Sequence, residues 1–119
     1  MKVLIDTNML LVPHQFGVDI FKFLKDYEML TLSSCVDELK KLSKKKGDDG
    51  IAARVGIKLM EENKVKPVRT KEKGDKSILN YALQEKCAVA TNDKGLIEAL
   101  KTNRIKIIRL KQKKYLAEE

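Results

Sequence analysis

Tryptophan is absent, aromatic residues make up only 5% of the chain, and histidine occurs once, at His14. A core must therefore be assembled from Leu, Ile, Val and Ala, and base stacking on aromatic rings has little to draw on beyond Tyr81 and Tyr115. Cys35 and Cys87 stand alone, without C-x-x-C spacing, which fits small buried hydrophobes in a reducing compartment better than a disulfide or a thiolate metal pair. One histidine, expected in a loop, and two unclustered cysteines supply a zinc site poorly, so any metal here is expected to be hard and oxygen-ligated. No apolar run approaches the roughly 20 residues of a membrane span. The opening Met1-Lys2-Val3-Leu4-Ile5-Asp6 reaches an acid too soon for a secretory h-region, so we expect a cytoplasmic location and no membrane partner.

What the chain has in quantity is positive charge. Its 25 Lys and Arg against 17 Asp and Glu give a formal net charge of +8 over 119 residues. From Lys101 to Lys114 there are seven basic residues and no acid: Lys101, Arg104, Lys106, Arg109, Lys111, Lys113 and Lys114. A second cluster comprises Lys40, Lys41, Lys44, Lys45 and Lys46. Any single lysine reads as a solvated surface residue, but one sign of charge concentrated twice points to a polyanionic partner.

Strand and helix patterns alternate. Val3-Leu4-Ile5 reads as a strand buried on both faces, and Phe16, Ile20, Phe23 and Leu24 recur at helical spacing after Pro13. Met29 to Leu32 is a second strand, followed by a helix from Ser33-Ser34 to about Lys44. The turn-rich stretch from Lys45 to Gly50 precedes a helix from Ile51 to about Glu62. Val65 to Val68 reads as a strand, at an edge because of Pro67. A helix over Asp75 to Glu85, a strand over Ala88 to Thr91, a helix over Asp93 to Lys101 and a strand over Ile105 to Leu110 complete the pattern. The expectation is one domain, residues 1–119, with a basic segment at about 101–119. Its architecture is three-layer α/β/α around a mostly parallel sheet of about five strands.

Four carboxylates stand where such a sheet could gather them. Ligands of open α/β sheets bind beyond the carboxyl ends of the strands. Asp6 ends the first strand, and Asp93 follows the strand over Ala88 to Thr91. Asp75 and Asp93 each stand where a helix begins, so each reads as an N-cap or as a ligand. Asp6 is followed by Thr7-Asn8 rather than by a helical pattern, which leaves an Asx turn and a functional role as its two readings. Residues three and four apart share a helix face. That spacing sets Asp37 beside Lys40 and Lys41 as an exposed ion-pair residue, and Glu38 with Cys35 and Leu42 toward the apolar side, where a carboxylate needs a partner. Asp19 reads as a surface acid in a first helical turn. Four unpaired acids close together would oppose folding, and a bound Mg²⁺ or Mn²⁺ would remove that penalty. Thr7, Asn8, Thr91 and Asn92 adjoin two of the acids and could orient them or a bound water, or serve ordinary turn chemistry.

These residues, in this order, resemble the motifs of the PIN-domain ribonucleases: Ile5-Asp6-Thr7-Asn8, the mid-chain Glu38, Asp75-Lys76-Ser77-Ile78 with Ala82-Leu83 behind it, and Ala90-Thr91-Asn92-Asp93. The likeness covers essentially the whole chain. Pro13 to Phe21 and Ile107 to Leu116 further resemble the archaeal branch related to nucleases that process precursor ribosomal RNA. The resemblance implies that Asp6, Glu38, Asp75 and Asp93 form the acidic, metal-binding quartet of a Mg²⁺- or Mn²⁺-dependent endoribonuclease. Asp6 and Asp93 would be its central ligands, with Glu38 and Asp75 completing the site or activating water. In such a site the ion polarises the scissile phosphate and lowers the pKa of its water. The segment from Lys101 to Lys114 would hold the RNA backbone.

Three functions are compatible with this reading: an endoribonuclease of ribosomal RNA maturation, the ribonuclease toxin of a toxin–antitoxin pair with a protein inhibitor, or a catalytically silent RNA-binding or ribosome-assembly module. Homodimers are common in the resembled family, so self-association belongs among the expectations. A haloacid-dehalogenase-type phosphatase is disfavoured because its Asp-x-Asp would need an acid at Asn8. A receiver domain would carry an acid pair near the first strand.

Overall fold

The computed structural model describes residues 1–119. Its strands are β1 (Lys2–Ile5), β2 (Glu28–Leu32), β3 (Lys66–Val68), β4 (Ala88–Ala90), β5 (Ile107–Lys111) and β6 (Tyr115–Glu118). Its helices are α1 (Thr7–Phe16), α2 (Ile20–Leu24), α3 (Ser33–Ser43), α4 (Asp48–Glu62), α5 (Asp75–Glu85) and α6 (Lys94–Thr102). The strands form one sheet in the order β3-β2-β1-β4-β5-β6. All neighbours run parallel except β5 and β6. The expected α/β fold with a mostly parallel sheet is therefore present, with six strands rather than about five.

Alternation along the central strands builds two cores, one on each face of the sheet. Val3, Ile5, Ala88, Ala90 and Ile108 pack with Met9, Leu10, Ile20, Leu24 and Leu39 on one side. Leu4, Val89 and Ile107 pack with Ile78, Ala82, Leu96, Ile97 and Leu100 from α5 and α6 on the other. No helix is long and apolar enough to cross a membrane.

The first helix differs from the sequence expectation. It starts at Thr7, well before Pro13, and buries Met9, Leu10 and Val12. Pro13 sits inside it, lacking an N–H for the ladder, and the helix stops at Phe16, where Gly17 takes φ 64°. Asp19 then caps the separate helix α2, accepting from the backbone N–H groups of Phe21 and Lys22 at 3.1 Å. The periodicity over Phe16, Ile20, Phe23 and Leu24 thus spans two helices; Ile20 and Leu24 are buried while Phe16 and Phe23 are exposed. α4 starts at Asp48 rather than Ile51, with Asp48 and Asp49 placed in its first turn to match the helix dipole. Helix α3 begins at Ser33 without a side-chain cap; Ser33 Oγ instead accepts from Thr70 N at 3.1 Å.

Strand β6 carries no sequence signal of the usual kind. The turn from β5 closes with Lys114 N donating to Lys111 O at 3.0 Å, and its central residues, Gln112 and Lys113, hold φ 51° and 56°. Hairpin turns of this type favour Gly and Asn, and neither is there.

Candidate active site

Sheet order decides where the site lies. The chain moves from β1 outward through β2 to β3 and then returns to lay β4 on the other side of β1, so the topological switch point falls between β1 and β4. A crevice opens beyond the carboxyl ends of the strands at such a point. Ile5 is in register with Ala90 there, and Asp6 N donates to Ala90 O at 3.0 Å. The cavity at this place measures about 570 Å³, and Asp6, Glu38, Asp75 and Asp93 all line it.

Asp6 is the anchor, at 9% exposure. It is itself the N-cap of α1, with Thr7 N donating to Oδ1 at 2.7 Å, which corrects the expectation that no helix follows it. Oδ2 accepts from Thr91 Oγ1 at 2.9 Å and Asn8 Nδ2 at 3.1 Å. The Cys35 thiol approaches Oδ1 at 3.9 Å, a weak contact. No Lys or Arg pairs with this carboxylate. Burial pushes its pKa above the ordinary 3.8, the hydrogen bonds from Thr91 and Thr7 pull it back, and the charges of Asp75 and Glu38 push it up again.

The remaining acids come from three other elements. Asp93 caps α6, its Oδ1 accepting from Leu96 N at 2.9 Å. Asp75 opens α5 after Gly74, and burial first, then the charge of Asp93, raises its pKa. The spacing of α3 sets Glu38 toward the apolar side and Asp37 outside; the structure instead exposes both, and both line the cavity. The reason is that α3 buries Cys35 and Leu39, one helical turn apart, and turns the adjacent face into open space.

The polar neighbours tie the strand ends together. Thr91 Oγ1 also accepts from Asp93 N at 3.2 Å. Asn8 Oδ1 accepts from Asn92 N at 3.2 Å, and Asn92 Oδ1 accepts from Leu110 N at 2.8 Å. Thr7 Oγ1 donates to Cys35 O at 3.5 Å, linking α1 to α3.

No three of the acidic side chains close around a single ion-sized point. They line one cavity and feel one another's charge without forming a closed cage. This donor set fits a small hard cation that keeps part of its water shell, as Mg²⁺ does when held through one or two carboxylates. The buried, cation-free Asp6 is the observation that supports the fit.

The basic residues fall differently from the sequence expectation. None of Lys101, Arg104, Lys106, Arg109, Lys111, Lys113 and Lys114 lines the cavity. Two acids at the end of β6 pair with four of them, Glu119 with Lys101, Arg109 and Lys111 at 3.7, 3.5 and 2.7 Å and Glu118 with Lys106 at 3.2 Å, while Arg104, Lys113 and Lys114 form no ion pair. Tyr27 OH donates to Glu118 at 2.6 Å, and Lys106 lies over the Tyr27 ring. The lysines at the cavity are Lys40, Lys41 and Lys44, from the second cluster, together with Lys73. Lys73 escapes sequence reasoning because it belongs to neither cluster; its one signal is adjacency to Gly74-Asp75.

A parallel α/β domain with a carboxylate-lined cavity at its topological switch point is the class that fold and site define. The sequence matches the PIN like domain over residues 3–113. It is 34% identical to ribonuclease VapC4 of Methanocaldococcus jannaschii over 123 aligned residues, covering 96% of this chain and 93% of the relative. It is 32% identical to ribonuclease VapC9 of Archaeoglobus fulgidus over 114, covering 92% and 83%. The chain belongs to the PIN-domain family.

Proposed function

We propose that this protein is a divalent-metal-dependent endoribonuclease acting as the toxin of a toxin–antitoxin pair. The single observation that carries the nuclease reading is Asp6, a buried carboxylate without a cation partner, on a cavity shared with Glu38, Asp75 and Asp93. Relatives named as VapC ribonucleases support RNA as the substrate. Their VapC names also favour the toxin over the ribosomal RNA maturation enzyme, to which neither name points.

Asp6 and Asp93 would hold Mg²⁺ or Mn²⁺, with Glu38 and Asp75 on the rim of the cavity positioned to orient water. When bound, the ion supplies a water of lowered pKa and charge stabilisation at the scissile phosphate. Thr91 donates to Asp6 and thereby favours its charged, ligating form. Thr7 N and Asn8 fix the orientation of the same carboxylate.

The test is cleavage of a labelled panel of single-stranded RNAs, with wild type beside Asp6→Asn in Mn²⁺, Mg²⁺ or EDTA. Cutting that needs the metal and disappears in Asp6→Asn is expected. Tight binding without cutting under every metal condition would instead favour a silent RNA-binding module. For the toxin role, induced expression should arrest growth, Asp6→Asn should not, and the product of a small adjacent acidic gene should relieve the arrest.

A further inference from the structure

Of the two basic clusters, only one faces the acids, and that asymmetry assigns the path of the substrate. Building on the nuclease reading above, we propose that a single-stranded RNA backbone is gripped between Lys40 and Lys41 on α3 with Lys44 at its C-cap on one side, and Lys73 in the β3–α5 connection on the other. On this proposal the basic segment from residue 101 onward is not the phosphate track.

Three observations converge. First, the four lysines line the same cavity as the four acids, and all four are exposed. None of them pairs with a carboxylate, so their charge is available to a ligand. In the C-terminal segment, Lys101, Lys106, Arg109 and Lys111 are already matched by Glu118 and Glu119.

Second, the backbone carrying the α3 lysines is held in place. Arg54 Nη1 donates to Ser43 O at 2.8 Å and to Lys45 O at 3.4 Å. Gly50 packs so closely that a Cβ there would stand 1.9 Å from Lys45 O. Lys40 and Lys44 are about one helical turn apart, close to 6 Å along the axis. That is comparable with the step between successive phosphates of an extended single strand.

Third, the lining has no aromatic side chain; only two of its 15 residues, Cys35 and Ile78, are hydrophobic. Without a stacking platform the cavity holds phosphates and does not read bases. The lysines also answer an electrostatic problem, because an acidic cavity alone would repel a polyanion.

Binding is measured in EDTA, by fluorescence anisotropy of a short labelled single-stranded RNA across a salt series, so that cleavage plays no part. Lys40→Gln, Lys44→Gln and Lys73→Gln should each weaken binding about threefold to tenfold, and each lost phosphate contact should reduce the salt slope by about 0.7. The triple variant should therefore lose about 2 from that slope, while Lys40→Arg and Lys44→Arg retain it. Lys106→Gln and Lys111→Gln should bind as wild type does. A triple variant with unchanged affinity and slope overturns the grip, as does an equal loss in Lys106→Gln or Lys111→Gln. If the lysine variants weaken binding yet no metal supports cleavage, the grip stands and the nuclease reading falls. If cleavage proceeds and the lysines prove neutral, the grip alone falls.

Discussion

Thr91 Oγ1 donates to Asp6 Oδ2 at 2.9 Å, joining residues 85 positions apart in the chain. The same oxygen accepts from Asp93 N at 3.2 Å, so one hydroxyl links the acid that follows β1 to the acid that caps α6 after β4. Thr91 is fully buried and Asp6 nearly so, and a buried hydrogen-bonded pair of this kind fixes geometry more than it adds net stability.

Removing that hydroxyl should disturb the site more than the fold. Thr91→Val should lower cleavage by about 10- to 100-fold, the range found when a residue that orients a metal ligand is lost. Thr91→Ser should keep most of the activity. Metal titration of both variants, alongside their melting curves, separates loss of ion affinity from loss of folding.

The raised pKa of Asp6 makes its charge a liability in the metal-free protein. Its folded value lies above 3.8, so between 3.8 and that value the native state holds a proton the unfolded chain has released. Stability contributed by this group therefore falls as pH rises through that window and stays low above it. Asp6→Asn keeps a helix-capping oxygen and removes the charge. In EDTA it should be more stable than wild type at neutral pH, with the difference vanishing in acid. Added Mg²⁺ should stabilise wild type and leave Asp6→Asn unmoved. Denaturant unfolding across pH, with and without the ion, reads all of these outcomes.

Helices α1 and α4 touch backbone to backbone at Gly56, where a Cβ would stand 2.4 Å from Leu10 O. Gly56→Ala should destabilise the protein by about 1–3 kcal/mol through overpacking, despite the better helix propensity of alanine. Chemical denaturation gives this value directly. Because α4 also packs on α3, RNA affinity in the folded fraction should weaken as well.

Neutralising the C-terminal acids should unmask a second basic face. Glu118→Gln with Glu119→Gln leaves Lys101, Lys106, Arg109 and Lys111 without their carboxylates. Duplex DNA binding should strengthen with a steeper salt dependence, while the cleavage rate stays as it was. Electrophoretic mobility across a salt series would register the change.

The alternation of strand and helix was legible because short continuous apolar runs, such as Val3-Leu4-Ile5, have few other uses in a chain of this size. Asp6, Asp75 and Asp93 were legible as a set because each follows a strand or opens a helix near the same edge of the sheet. Less visible was the side on which charge would be cancelled. That depended on β6, whose turn relies on Gln112 and Lys113 at positive φ, residues that give no local warning of a hairpin. The orientation of Glu38 was also hidden, since spacing along a helix identifies a shared face but not whether that face meets a packed core or an open recess. The start of α1 was obscured by Pro13, which marks a boundary in most helices and here is tolerated within one.

The pairing of β1 with β4 also sets a schedule. Strand β1 is made before its partner Ala88–Ala90, and Asp6 leaves the ribosome 85 residues ahead of Thr91. Over that interval Asp6 has no Thr91 to orient it and no Asp93 beside it. The acid-lined cavity therefore cannot close until the segment from Ala88 to Asp93 has been made and has paired with β1.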